Sequence, residues 1–162
     1  MNDKQVNPTN QLKEIFHNLE RFELSVAVLY ETFAALLPES KNAWLVFAGE
    51  ERLHAGWVKR LYGDVKEGKI PLGPAHFTVQ SIQLAIDYTE SQTAKVAQEK
   101  PDLQKFLNIA INTERSLLER AYLKMFNLTA PEAQKIRTQL EEATKSHLEG
   151  LIAWRARVLK AS

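Results

Sequence analysis

Leu12, Phe16, Leu19, Glu23, Val26, Tyr30, Phe33 and Leu37 follow one another in alternating steps of four and three residues, and among them only Glu23 is neither apolar nor aromatic. Such steps return side chains to one face of an α-helix, so the row reads as the inward seam of a long helix with a carboxylate set into it. Three further rows behave alike. Trp44, Phe47, Glu51, His54, Val58, Leu61 and Val65 form the second, and Leu103, Leu107, Ala110, Glu114, Leu117, Ala121 and Met125 the third. The fourth is Ile136, Leu140, Thr144, His147, Leu151, Trp154 and Val158. Four seams of this length must be buried against one another, which predicts an all-α, four-helix bundle.

The breakers divide the chain accordingly. Glycine and proline are scarce, six of each, and they gather between the periodic stretches. The first helix is expected from Thr9 or Asn10 to Pro38, and the second from Ser40 or Asn42 to the Gly63–Gly68 region. Lys66 to His76, with Pro71, Gly73 and Pro74, reads as a loop. A helix over about Thr78 to Gln98 follows, with a thin stripe of Val79, Ile82, Ile86 and Val96. The third long helix starts after Pro101 and reaches about Asn127; Thr129 caps the fourth, with Pro131 just inside it and Glu132 in its first turn. The architecture expected is therefore ferritin-like: two antiparallel hairpins joined by a long crossover, about 66–100, that carries an extra helix. A single domain over 1–162 accommodates it.

Composition narrows the function. With 21 basic residues against 20 acidic ones, the near-neutral chain offers no field for nucleic acid or an anionic membrane. The absence of cysteine removes disulfides, thiolate metal sites, cysteine nucleophiles and iron–sulfur clusters together. No stretch of about 18 apolar residues predicts a transmembrane helix. The polar N-terminus, MNDKQVNPTNQLKE, lacks an apolar signal core, so the expected location is the cytoplasm.

The ionisable groups in the seams carry the chemistry. Glu23, Glu51 with His54, Glu114, and His147 all fall near mid-helix, and Glu51 and His54 stand three apart, on one face. Taken singly, a seam Glu is commonly rim-exposed or paired with Lys or Arg, and a lone His is a satisfied core residue. Taken together they need compensation, because unpaired buried carboxylates would exhaust a domain's stability of about 5–15 kcal/mol. A bound dication compensates them directly, since Glu and neutral His suit iron, manganese or zinc. Glu20, Glu31, Glu50, Glu119, Glu141 and Glu142 lie beside the seams and read as solvated or in surface pairs. His17 sits on a flank and His76 in the loop. Phe16, Trp44, Phe47 and Trp154 read as core, and Arg115, Arg120, Arg155 and Arg157 as exposed charges.

These residues resemble a known family. FELSVAVLY (residues 22–30) with AGEERLHAGWVKRLYGDVKEG (48–68) resembles the first helical pair of rubrerythrin-like members of the ferritin-like superfamily. FLNIAINTERSLLERAY is similar to the third helix and LEEATKSHLEGL to the fourth, so the likeness spans about residues 10 to 160. The resemblance implies one metal held by Glu23, Glu51 and His54, and a second held by Glu114 and His147, with Glu51 bridging. It implies Tyr30 and Tyr122 as hydrogen-bond donors to the ligand carboxylates; ordinary core packing is the alternative for both. The implied cofactor is a di-iron pair, with zinc or manganese as other occupants. The implied activity is reduction of peroxide or dioxygen, or oxidation of ferrous iron, and a homodimer is the expected assembly.

Two departures qualify the likeness. The fourth helix of the family carries Glu–x–x–His, and here the position three before His147 is Thr144. Glu142 and Glu141 do not replace it, lying about 140° and 240° round the helix from His147. Asp87 or Glu90 on the crossover helix remains as a possible substitute. The second departure is the missing cysteine-bound iron domain, so an external electron donor is expected. The alternatives to a di-iron oxidoreductase are a mononuclear metal protein, held mainly by Glu23, Glu51 and His54, and a vestigial helical bundle acting as an interaction module.

Overall fold

The computed structural model describes residues 8–70, 79–120 and 130–161, with side chains over 12–70, 79–116 and 130–160. Five α-helices account for nearly all of it: α1 (Pro8–Leu36), α2 (Lys41–Lys66), α3 (Val79–Val96), α4 (Leu103–Arg120) and α5 (Pro131–Ala161), with a 3-10 turn, Pro38–Ser40, between α1 and α2. The described residues contain no β-strand. The four seams correspond to α1, α2, α4 and α5, and the crossover helix is α3. Thr129, Tyr122, Met125, His76 and the loop prolines Pro71 and Pro74 lie outside the described residues, as does the end of the third long helix.

The ends follow local chemistry. Pro38, which has no N–H to donate, lies just beyond the end of α1. Ser40 occupies the cap position of α2, yet its Oγ donates to the Leu37 carbonyl and caps nothing, which differs from its expected role. Gly68 adopts φ 72° just past α2, and its N–H bonds to the Val65 carbonyl at 3.0 Å. That left-handed residue is where glycine is favoured at a helix end. Asp102 caps α4, its Oδ1 accepting the Lys105 N–H at 3.1 Å. Pro131 opens α5 as expected, with Glu132 in its first turn.

α1 and α2 pack along most of their lengths, as do α4 and α5, while α3 lies against α1. Antiparallel pairing shows in the side-chain partners. Glu31 meets Arg52 and Glu20 meets Lys59 across the first hairpin, and Asn108 meets Arg155 across the second. α3 contributes Ile82, Ala85, Ile86, Thr89 and Val96 to buried positions. Asp87 and Glu90 point away from the bundle interior and are exposed; Asp87 accepts from Gln83 and Glu90 lies 3.9 Å from Arg21. Neither supplies the carboxylate that Thr144 lacks, because the face that α3 presents to α1 is its apolar one.

One end of the bundle interior is filled with rings. Phe33 stacks on Phe106 with centroids 4.4 Å apart, and Trp44 touches Tyr30, Phe33, Phe47 and Trp154. Phe33, Trp44 and Phe106 are fully buried. Truncating Phe33→Ala removes the ring that links α1 to both α2 and α4, and is expected to cost about 3–5 kcal/mol. Urea unfolding of the variant checks this; a loss under about 1 kcal/mol would show that the ring cluster is not a structural anchor.

Candidate metal centre

The four seams bring Glu23, Glu51, His54, Glu114 and His147 to one level of the bundle. Burial is nearly complete for four of them: Glu51 is 1%, His54 3%, Glu114 0% and His147 5% exposed. Glu23 is the most open, its side chain 14% exposed.

Glu51 stands in the middle, and its two oxygens face different partners. Oε2 lies 3.1 Å from His54 Nδ1, and the same nitrogen is 3.9 Å from Glu23 Oε2. Oε1 lies 2.8 Å from His147 Nδ1, which is in turn 3.6 Å from Glu114 Oε1. Glu51 therefore divides the site into a half made by the first hairpin and a half completed by the second. The imidazoles of His54 and His147 stack with centroids 5.3 Å apart. Single ligand atoms of Glu51, His54 and His147 all lie within 4.8 Å of one another.

Glu51 Oε1 and His147 Nδ1 are close without being aligned as donor and acceptor. Both are buried without a hydrogen-bond partner, and so is Glu114 Oε2. Orphaned buried polar atoms are costly, and three at one level call for a common partner. Carboxylate oxygens and imidazole nitrogens directed at shared space are the donor set of a first-row divalent metal. The residues present fit such an ion.

The surroundings orient these donors. Tyr30 donates its hydroxyl to Glu114 Oε1 at 2.6 Å, the contact expected of it. On the outer side of His147, Nε2 lies 2.7 Å from Glu50 Oε2. With Nε2 protonated toward Glu50, loss of the Nδ1 proton would leave a lone pair pointing inward, the tautomer a metal ligand needs. Glu50, expected to be solvated or in a surface pair, is half-exposed and paired, but its partner is the buried His147. Thr144 is half-buried, and its hydroxyl donates to the Leu140 carbonyl of its own helix at 2.9 Å. Glu141 also departs from expectation, since its Oε1 is buried without a hydrogen-bond partner. Glu31 and Glu20 are in the surface pairs expected of them, and His17 and Glu142 are exposed.

Without a cation, protons partly neutralise the cluster. Burial, reinforced by the Glu114 charge, raises Glu51 to about 7, and burial with the Glu51 charge pushes Glu23 up as well. Burial alone would lower His147, but the Glu114 and Glu51 carboxylates outweigh it and hold the ring up to about 11. Burial lowers His54. Tyr30 is raised by burial and then by the Glu114 charge.

The folded, metal-free chain thus holds more protons than the unfolded chain as pH rises from the ordinary Glu value of 4.5 to about 7. Stability from Glu51 and Glu23 is fully present below that range and lost on rising through it. His147 acts in the same direction above its ordinary 6.5, and His54 opposes it. The urea midpoint of metal-free protein is expected to fall from about pH 5 to about pH 8. A midpoint that climbs over this interval would contradict the assigned protonation. Tyr30→Phe strips Glu114 of its donor and should cost about 1–3 kcal/mol in the same measurement.

The sequence model of the Rubrerythrin family matches residues 14–153, a span that holds all five of these residues. No curated protein and no solved structure matches the chain. The matched span covers most of the 162 residues, and the helical structure agrees with it. The chain belongs to the rubrerythrin family.

Proposed function

We propose that this protein is a di-iron-type oxidoreductase with two unequal metal positions, acting on peroxide, dioxygen or ferrous iron. The observation that carries this reading is the division of Glu51, whose Oε2 faces His54 and Glu23 while its Oε1 faces His147 and Glu114. Glu23, Glu51 and His54 would hold the first metal, and Glu51, Glu114 and His147 the second.

When bound, the metal pair supplies Lewis acidity and the electrons for cleaving an O–O bond. The chain's own residues do the rest. Tyr30 holds Glu114 in place through its hydroxyl, and Glu50 sets the His147 ring. Tyr30, Phe47 and Trp44 pack ring against ring at the aromatic end of the interior. These residues contain no cysteine, so reducing equivalents reach the site from a donor outside them.

The positions are unequal because Thr144 spends its hydroxyl on Leu140. Three carboxylates, Glu23, Glu51 and Glu114, face two dications, leaving one positive charge uncompensated; with one dication the balance is one negative charge. A second reading, a single metal held mainly by Glu23, Glu51 and His54, follows from the same loss, since Thr144 takes a carboxylate from the His147 side alone.

Anaerobic ferrous titration followed by oxygen exposure separates the readings. Two irons per chain, the second weaker, with a near-ultraviolet charge-transfer band after oxygen, support the di-iron reading. One iron supports the second reading. No binding, with stability indifferent to His54→Ala, would overturn both and leave a helical interaction module. Glu51→Ala is expected to abolish both positions together, since each loses an oxygen. Thr144→Glu should tighten the second position selectively; unchanged stoichiometry and affinity in that variant would argue against Thr144 as the weak point.

A further inference from the structure

Glu50 contributes to no seam, yet it touches both solvent and the buried cluster, and it is far more exposed than Glu23. Its side chain is 46% exposed, while its Oε2 reaches His147 Nε2 at 2.7 Å. Beside it, a cavity of about 210 Å³ opens between α2 and α5. His54 and His147 form its floor, Trp57 walls it from α2, and Ala143 and Ser146 wall it from α5. Two larger cavities, one beside Trp154 and Arg157 and one between α1 and α3, include none of the five clustered residues. The volume suits a few waters at about 30 Å³ each, and falls short of the roughly 300 Å³ at which organic-ligand pockets begin. A hydrated cation fits such an opening and a bulky organic molecule does not.

We propose that the α2–α5 opening is the loading gate of the metal centre and that Glu50 is its transit ligand. This rests on the carboxylate–histidine set holding metal, as proposed above. An incoming hydrated divalent cation meets a half-solvated carboxylate at the rim and exchanges water for it. The same carboxylate is in contact with the outer nitrogen of His147, so the captured ion sits directly above the two imidazoles. Their inner nitrogens and Glu51 then take it over. Oxygen donors capture hard divalent cations readily, and the buried nitrogens add the preference for transition metals over magnesium or calcium.

Stopped-flow mixing of the full chain with cobalt(II), followed by ligand-field absorbance, tests the gate. Glu50→Gln keeps the shape of the rim and removes its charge, and is expected to slow uptake by about tenfold or more. Ser146→Trp changes an exposed wall residue, and should slow uptake while final stoichiometry and melting temperature stay those of the parent. Ala94→Trp, in the groove between α1 and α3, should load like the parent. Parental uptake rates in both gate variants, or equal slowing in Ala94→Trp, would overturn the proposal. An effect of Glu50→Gln confined to cobalt release would also overturn it, leaving Glu50 only as the hydrogen-bond partner of His147. Failure of the parent to take up cobalt would overturn the metal-binding reading itself, and the gate with it.

Discussion

Three carboxylates brought together in an apolar interior repel one another and lose their hydration, and the rest of the site is arranged around that cost. Glu51 stands at its centre, 1% exposed and close to both histidines. A protein interior tolerates such a group only when its charge is neutralised by protons, cations or metal. The metal-free chain uses protons, as the upward shifts of Glu51 and Glu23 show. A cation taken into the cluster would displace these protons, and its binding would therefore depend on pH.

Much of this was legible in the sequence because α-helical periodicity is rigid. A residue in a seam of steps of three and four has little choice but to face inward, and Glu51, His54, Glu114 and His147 do so. Glu23 obeys the same spacing but lies nearer the surface, since spacing fixes direction and not depth. Glu50 was illegible for the complementary reason. One residue away from Glu51 its side chain turns by about 100°, and what it then meets depends on where α5 lies. The adjacent pair Glu50–Glu51 was the available signal, but surface acids are too common for that pair to point to His147.

The crossover helix marks another limit. Its stripe was thin, and the structure uses it against α1, with Ile82, Ala85 and Ile86 buried. Periodicity does not say which neighbour such a helix covers, so the face that Asp87 and Glu90 occupy is not legible in the sequence. Thr144, by contrast, was readable as a loss because the resemblance supplied a definite expectation at that position. The direction of its hydroxyl, toward Leu140, follows from a common habit of mid-helix threonine.

The two hairpins also give the site a history within each folding event. Glu23, Glu51 and His54 lie within one continuous stretch, α1 through α2, and meet across a tight turn. Glu114 and His147 come from α4 and α5, beyond the crossover. Contacts of short sequence separation form at lower entropic cost than distant ones. The local half is thus set to assemble with its own hairpin, when only two of the three carboxylates are close together. Their full repulsion requires Glu114 as well, and so arises only where one hairpin is docked on the other.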